Sequence, residues 1–328
     1  MSRWAIGIDL GGTAIKAAIV QEETGILTDK TISTDKTFGT KGVIVQLAAI
    51  IAAFYRNAAE VLDPANFAGI GLGAPGAVNA ELGILSYPPN LPGWSVCPLL
   101  DELHECLREK ENLSIRRGIL ENDANAAALG EAMYGAGKGF RDFFLVTLGT
   151  GVGGGIILNK QLYRGSKGTA GEIGFIIIDF TGSGFHSGIR GTLEGFIGKE
   201  GIVKLARQMI EENPLGSSLS RLCDNDYANL SPRHLERAAR EGDELSLKIW
   251  HRVGSILGVG LANVTVIMDI RKFVLGGGIS AAGNLIIDPA LEQFRLSTLP
   301  SMHEGLELVP ALLGNKAGVY GAAALCFD

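Results

Sequence analysis

The sequence predicts an α/β protein with two domains, and three observations support this fold class. The chain has 328 residues, whereas a single domain holds roughly 100–200 residues. Short apolar runs of strand length alternate with longer runs whose apolar residues recur at helical spacing, as in α/β proteins. In each half of the chain, a strand, a glycine-rich turn and a second strand follow one another.

The periodicity of the apolar residues locates the individual elements. Strands are predicted over 4–10, 14–20, 68–73, 117–121, 142–148, 152–158 and 272–275. Helices are predicted over 43–62, 95–110, 124–133, 201–212, 231–240, 246–268 and 314–327. The helix over 246–268 contains Gly254, Gly258 and Gly260, which indicates that a neighbouring element packs closely against it.

The order of these elements suggests where the domains divide. We expect a small α/β domain over 1–122 and a large α/β domain over 123–313. The last helix, within 314–328, is too rich in alanine and glycine to be stable alone. It is therefore expected to pack back onto the small domain.

Charge, cysteine content and hydropathy exclude several classes of protein. The net charge of -6 repels a phosphate backbone and argues against nucleic-acid binding. The four cysteines form no C-x-x-C pair, which favours free thiols in a reducing compartment. The N-terminal residues lack an apolar signal region, and no uninterrupted apolar run is long enough to span a membrane. The sequence thus predicts a cytoplasmic protein that binds neither nucleic acid nor membrane.

Glycine is abundant, at 46 residues, about twice its ordinary frequency. The glycines cluster at 11–12, 69–76, 149–155, 182–191 and 276–278. Glycine clusters between apolar runs are typical of tight turns and of places where the backbone approaches a ligand.

The first glycine turn, residues 9–16, contains Asp9, Gly11, Gly12, Thr13 and Lys16. Glycine lets backbone N–H groups approach a phosphate, and the threonine and lysine add a hydroxyl donor and a positive charge. The aspartate at the strand end suits an outer-shell ligand of Mg²⁺. A second strand follows the turn, so neither a P-loop nor a dinucleotide-binding fingerprint fits. A plain hairpin turn is the alternative interpretation.

The second glycine turn, residues 148–155, repeats this chemistry with Thr150 and Gly151. One such turn is weak support for nucleotide binding. Two such turns, one in each domain, are suited to bind a triphosphate from both sides. A third glycine run, Gly276 to Gly278, follows a strand, and its bare backbone suits contact with a purine and ribose. Taken in isolation, the third run fits a tight strand-to-helix turn better.

A strand delivers Asn122 and Asp123 to the start of the helix over 124–133. Asp123 suits a general base, because phosphoryl transfer needs one carboxylate to accept the hydroxyl proton. The alternative is that Asp123 only caps the helix. The residue three positions further on is Ala126, so a capping box is not formed.

Taken together, the motifs of the chain resemble the ROK family (repressors, open reading frames, kinases). The segments that carry the resemblance occur in family order: DLGGTAIK (9–16), GLGAPGAV (71–78), PNLPGW (89–94), ENDANAAALGE (121–131), LGTGVGGG (148–155), GEIG (171–174), GTLEG (191–195) and VLGGGIS (274–280). The resemblance implies the two-domain actin-like ATPase (ribonuclease H-like) fold, with ATP in a cleft between two α/β domains. It also implies a kinase that phosphorylates a hexose or an N-acyl hexosamine with ATP and Mg²⁺.

The resemblance also implies roles for individual residues. Asp123 would be the general base, and Asp9 would lie in the outer shell of Mg²⁺. The sugar would be held by Gly73, Asn90, Asn122, Asp123, Glu172 and Glu194. The nucleotide would be bound by Asp9, Gly11, Gly12, Thr13, Lys16, Thr150, Gly151 and Gly277.

The chain departs from the family pattern where many members carry a histidine and bind structural zinc. The histidine position is Phe175, and the three cysteine positions are Phe185, Ser187 and Thr192. Tetrahedral zinc needs four ligands, and only His186 lies nearby. The sequence therefore predicts no zinc, and we expect Phe175 and Phe185 to supply apolar packing there.

The resemblance implies phosphorylation of a hexose, first of all at the 6-OH of glucose. Fructose and N-acyl hexosamines are alternative substrates, because the absent histidine removes one sugar contact. A catalytically silent sugar-binding protein is another alternative.

A ROK repressor is disfavoured, since the first core strand begins by Trp4 and leaves no room before it for a helix-turn-helix. A polyphosphate-using kinase would need a basic tract, and none is clear. The family resemblance also suggests a homodimer.

Overall fold

The computed structural model describes residues 2–182, 185–186, 188–212, 218–223 and 226–327, and for residues 185, 186 and 220 it describes the backbone only. The strands are β1 (Trp4–Leu10), β2 (Ala14–Gln21), β3 (Gly25–Ser33), β4 (Phe67–Ala74), β5 (Ala77–Asn79), β6 (Ile84–Ser86), β7 (Val96–Cys97), β8 (Gly118–Asn122), β9 (Phe143–Leu148), β10 (Val152–Leu158), β11 (Gln161–Tyr163), β12 (Phe185–His186), β13 (Ile189–Arg190), β14 (Lys272–Gly276) and β15 (Glu307–Pro310). The helices are α1 (Gly39–Ala59), α2 (Leu99–Glu111), α3 (Asp123–Tyr134), α4 (Leu193–Ile197), α5 (Lys199–Glu212), α6 (Leu219–Leu222), α7 (Pro232–Arg240), α8 (Glu244–Met268), α9 (Asn284–Leu296) and α10 (Ala317–Ala324).

The chain folds into two compact units. The first unit contains Met1–Arg141, Gly155–Gly171 and Leu312–Asp328, and the second contains Asp142–Gly154 and Glu172–Ala311. The predicted boundary between residues 122 and 123 differs from this division, in which α3 stays with the first unit. The reason is packing, because α10 lies against α3 as well as against β1 and β4.

The main sheet of the first unit has the strand order β3–β2–β1–β4–β8. β1 and β2 form the predicted antiparallel hairpin, whereas β4 runs parallel to β1 and β8 runs parallel to β4. In this register Gly73 pairs with Asp9 on one side and with Glu121 on the other. Because the carboxyl ends of parallel strands meet at one edge of a sheet, these three residues form a row there.

The last helix, α10, approaches the rest of the first unit more closely than ordinary side chains allow. A Cβ added at Gly71 would lie 1.7 Å from the carbonyl oxygen of Ala322, and one at Gly321 would lie 1.5 Å from that of Ala126. Only glycine allows such approach of one backbone to another. Part of the glycine excess therefore serves helix packing and not ligand approach.

A second sheet has the order β11–β10–β9–β14–β15, which repeats the arrangement of the first. β14 runs parallel to both β9 and β15. In the second unit α8 packs along α9, and added Cβ atoms at Gly254 and Gly258 would lie 2.5 Å from Pro289 and 2.4 Å from the carbonyl oxygen of Ala290. The close neighbour predicted for the helix over 246–268 is thus confirmed. α9 itself was not predicted, because Pro289 interrupts its sequence pattern.

Two helices, α1 and α8, are long and apolar enough by composition to cross a membrane, and half of the apolar stretch of each is buried inside the protein. The buried face of α1 includes Val43, Leu47 and Ile51, which join Ile8 and Leu10 in the core of the first unit. Burial in this core accounts for the apolar composition of α1.

Candidate active site

Asp123 is the first residue of α3, directly after the end of β8. The residue that caps the helix is Asn122, whose Oδ1 accepts hydrogen bonds from the N–H groups of Ala124, at 2.9 Å, and Asn125, at 3.2 Å. The alternative in which Asp123 is only the helix cap is therefore wrong. The Asp123 carboxylate accepts one hydrogen bond from Ala124 N–H, at 2.8 Å, so its second oxygen is not engaged by that bond.

The surroundings of Asp123 make its carboxylate more basic than an ordinary aspartate. Burial raises the pKa of the Asp123 carboxyl, and the negative charge of Asp9 raises it further. The Ala124 hydrogen bond and the positive charge of Lys16 oppose this rise in the pKa. A carboxylate of raised pKa in the first turn of a helix suits a general base, because proton acceptance improves as the pKa approaches the working pH.

The first glycine turn joins β1 to β2 and brings Asp9 opposite Lys16. The Lys16 ammonium donates to the Asp9 carboxylate over 2.8 Å, and both side chains are half-buried. Gly11 donates its N–H within the turn, to the carbonyl oxygen of Ala14 at 3.0 Å. Thr13 is exposed.

The segment predicted to line the sugar pocket lies against this turn. A Cβ added at Gly12 would lie 2.5 Å from the Cβ of Asn90. Asn90 itself adopts a left-handed backbone with φ of 65°, which asparagine tolerates better than most residues. Gly73 lies beside Asp123, because its added Cβ would be 3.8 Å from the Asp123 Cα. Asn122 Nδ2 donates to the carbonyl oxygen of Gly76, at 3.3 Å.

The predicted residues of the first unit are therefore brought together. They are Asp9, Gly11, Gly12, Thr13, Lys16, Gly73, Asn90, Asn122 and Asp123.

In the second unit, Glu194 lies at the second glycine turn. Its Oε2 accepts from Val152 N–H at 2.7 Å, and a Cβ added at Gly151 would lie 2.6 Å from that same oxygen. Thr150 is exposed on this turn. The residue predicted to hold a sugar hydroxyl thus contacts the turn that was predicted to hold phosphate.

Two further predicted residues, Gly277 and Glu172, belong to the second unit, and Gly277 contacts the second glycine turn at Leu148. Gly277, with φ of 86°, approaches the strand before the second turn, because an added Cβ would lie 2.2 Å from the Leu148 carbonyl oxygen. Glu172 is exposed and precedes the short 3₁₀ helix Ile173–Phe175.

The positions that correspond to the family histidine and zinc cysteines differ in their surroundings. Thr192 is buried and caps α4, since its hydroxyl accepts from Gly195 N–H at 3.1 Å. Phe175 is 39% exposed. Ser187 and the side chains of Phe185 and His186 lie outside the described residues, so the expected packing of the two phenylalanines stays a prediction. Within the described parts of the chain, no cluster of three or more histidine, cysteine, aspartate or glutamate residues has the geometry of a metal site.

One charged residue next to the site was missed at the level of sequence. Glu121 is only 2% exposed, and its carboxylate accepts a hydrogen bond from Arg164 Nε at 2.5 Å. A glutamate at the end of an apolar strand run was the available signal, because a carboxylate is rarely buried without a partner.

Comparison with known proteins agrees with this architecture. The sequence profile of the ROK family matches residues 5–328. The chain is 35% identical to a glucokinase of Halalkalibacterium halodurans over 98% of its own length and 94% of that protein, and 34% identical to a glucokinase of Thermotoga maritima over 98% and 96%. A crystal structure of a ROK family glucokinase from Streptomyces griseus, in complex with glucose and AMPPNP, superposes with a TM-score of 0.77 at 33% identity and covers 98% of both chains.

More distant relatives include repressors. The chain is 26% identical to the xylose repressor of Bacillus subtilis over 99% of its own length and 77% of the repressor. The predicted fold class, the actin-like ATPase fold, is confirmed by the solved structures that the chain resembles. The chain belongs to the ROK family.

Proposed function

We propose that this ROK family protein transfers the γ-phosphoryl group of ATP to a hydroxyl of a hexose, and first of all to the 6-OH of glucose. The observation that carries the proposal is the Asp123 carboxylate, half-buried at the start of α3, with its pKa raised by burial and by Asp9. The glucokinase relatives support the same chemistry.

Asp123 acts as the general base in this proposal. Its carboxylate accepts the proton of the sugar hydroxyl as the oxygen attacks phosphorus, a step that commonly contributes about 10²–10⁴-fold to the rate. Asn122 caps α3 and so fixes the backbone that carries Asp123. The rest of the catalysis is positioning and charge stabilisation, as in other phosphoryl transfers.

Asp9 and Lys16 are proposed to meet the nucleotide together with Gly11, Gly12, Thr13, Thr150, Gly151 and Gly277. Carboxylate oxygens are the ligands that Mg²⁺ prefers. Gly318 has no side chain and so leaves space beside the Asp9 carboxylate, since an added Cβ would lie 2.9 Å from the Asp9 Cγ. Asp9 therefore fits a role in the outer shell of Mg²⁺, which would neutralise phosphate charge when bound. Lys16 supplies a second positive charge from the same turn.

The sugar is proposed to contact Gly73, Asn90, Asn122, Glu172 and Glu194, besides Asp123. Asn122 uses its oxygen for the helix cap and one amide hydrogen for Gly76. A primary amide has two donors, so one remains for a sugar oxygen. Fructose and N-acyl hexosamines are the alternative substrates, because Phe175 replaces a polar residue of many relatives.

A second candidate function is sugar binding without catalysis. The similarity to the xylose repressor favours it, because that protein is named for gene regulation and not for a reaction. The Asp123 geometry disfavours it, since binding alone needs no carboxylate of raised pKa.

The proposal extends to the setting of the protein. All four cysteines are buried and present as thiols, which supports a reducing, cytoplasmic compartment. We expect a homodimer that needs no zinc, nucleic acid or membrane.

An ADP-release assay with Mg²⁺ and ATP over glucose, mannose, fructose, N-acetylglucosamine and N-acetylmannosamine tests the proposal. We expect the largest kcat/KM for glucose. Sugar binding by calorimetry without ADP release for any sugar would instead establish the silent binding protein.

A further inference from the structure

The residue before the helix cap, Glu121, is held at three points. Its Oε1 accepts from Asn122 N–H at 2.9 Å and from Asn125 Nδ2 at 3.0 Å, and its Oε2 accepts from Arg164 Nε at 2.5 Å. Asn122 and Asn125 both belong to the capped start of α3. The Glu121 carboxylate therefore braces the same backbone that carries Asp123.

Arg164 is the long-range partner of this carboxylate. Its side chain is 38% exposed, whereas that of Glu121 is 2% exposed. A buried carboxylate without a countercharge is strongly disfavoured, so Glu121 depends on Arg164. The arginine comes from the segment directly after β11, 43 positions further along the chain.

Arg164 opens a tight loop over residues 164–171. Ala170 N–H returns to the carbonyl oxygen of Arg164, at 3.2 Å. Gly165, Gly168 and Gly171 all adopt positive φ, of 70°, 81° and 94°, which favours glycine at each position. The loop leads along the chain into Glu172, one of the proposed sugar-binding residues.

The loop also reaches the segment after Gly73. A Cβ added at Gly168 would lie 3.1 Å from the carbonyl oxygen of Val78 in β5. Two residues before Val78, the carbonyl oxygen of Gly76 accepts from Asn122 Nδ2. The contacts therefore form a closed circuit of neighbouring groups. It runs from Glu121 to Arg164, along the loop to Val78, and through Gly76 back to Asn122, the residue after Glu121.

We propose that Arg164 is a positioning residue for phosphoryl transfer, which acts through Glu121 and through its own loop to fix the start of α3 that carries Asp123. This inference rests on the proposed kinase function. It predicts that Arg164 affects the use of the sugar more than the use of ATP. A misplacement of reacting groups by about 1 Å costs on the order of 10²-fold in rate.

The test compares Arg164→Met and Arg164→Lys with a control, Arg56→Met, which removes the exposed ion pair to Glu111 in the same unit. We expect Arg164→Met to lower kcat/KM for glucose by about 10–100-fold and to change the KM for ATP by less than about threefold. Arg164→Lys should recover part of the loss. Arg56→Met should match the wild type in both constants.

A double variant, Glu121→Gln with Arg164→Met, separates positioning from stability. Removal of the buried charge should restore the melting temperature lost in Arg164→Met, while kcat/KM for glucose stays low. If activity returns together with the melting temperature, or if Arg164→Met has wild-type kinetics, the pair is only structural and the inference is overturned.

Amide hydrogen exchange distinguishes this failure from failure of the kinase proposal. If the wild type phosphorylates no sugar, the kinase proposal fails. The inference still requires that Arg164→Met accelerate exchange both at residues 122–125 and at residues 165–171. Acceleration confined to residues 165–171 would overturn it, because the loop would then be uncoupled from α3.

Discussion

At the residue scale, the proposed catalytic centre depends on a division of tasks between neighbours. Asn122 caps α3 with its side-chain oxygen, so the carboxylate of Asp123 is not required for capping. Burial and the charge of Asp9 then raise the Asp123 pKa. A capping aspartate would instead be stabilised in its charged form by the backbone donors.

The raised pKa of Asp123 predicts the acidic side of the pH profile. The base must be ionised, so kcat/KM for the sugar should fall as the pH drops through the raised pKa, which lies above the ordinary aspartate value of about 3.9. Asp9→Asn removes the repelling charge and should move this limb of the profile to lower pH, whatever its effect on the maximal rate. Initial rates across the pH range measure the acidic limb for the wild type and for Asp9→Asn. A limb that moves to higher pH in Asp9→Asn would contradict the assignment of this limb to Asp123.

Gly12 tests the contact between the first glycine turn and the segment around Asn90. Gly12→Ala would place a Cβ 2.5 Å from the Asn90 Cβ and 2.7 Å from its carbonyl oxygen, so one of the two backbones must move. We expect a loss of about 1–3 kcal/mol in the free energy of unfolding and a raised KM for ATP. Gly139→Ala is the matched control, because nothing lies within 4 Å of its added Cβ. Equal behaviour of the two variants in denaturation and kinetics would rule out the close contact.

At the element scale, the predictions succeeded for strands whose structure is determined by the pattern of their own short segment. The hairpin strands and the strand over 152–158 were predicted correctly, because short apolar runs on either side of a glycine turn specify them. β3 was missed because its residues are largely exposed, so it lacks the apolar alternation of a half-buried strand. The circuit from Glu121 through Arg164 could not be predicted from the sequence, since no local pattern pairs residues 43 positions apart.

The packing of α10 gives a prediction at this scale. Gly321→Ala would place a Cβ 1.5 Å from the Ala126 carbonyl oxygen in α3, and neither backbone can yield cheaply. We expect a loss of about 3 kcal/mol or more in the free energy of unfolding, measured by chemical denaturation. A variant with the stability of Gly139→Ala would show that α10 does not pack on α3 in this way.

At the scale of the whole molecule, the order of motifs along the chain predicted the family and the fold class, because each motif is short and local. The domain boundary was harder to predict. Residues 123–141 belong to the first unit, and this depends on contacts with α10, which is nearly two hundred residues away in the sequence. The contact of Glu194 with the second glycine turn likewise depends on packing that the GTLEG motif does not encode.

The missing family cysteines give a prediction for the purified protein. Phe175, Phe185, Ser187 and Thr192 offer no thiolate or imidazole, so zinc should be far below one equivalent per chain, as measured by mass spectrometry of metals. A chelator should leave the melting temperature unchanged. Stoichiometric zinc, or a chelator-induced loss of stability, would refute the prediction.

The most direct test of the kinase proposal compares the wild type with Asp123→Asn in glucose phosphorylation and in glucose binding. Asparagine keeps the size and the hydrogen bond from Ala124 but cannot accept the hydroxyl proton at neutral pH. We expect kcat to fall by about 10²–10⁴-fold, while the Kd for glucose measured by calorimetry changes little. Turnover near that of the wild type would contradict the assignment of Asp123 as the base.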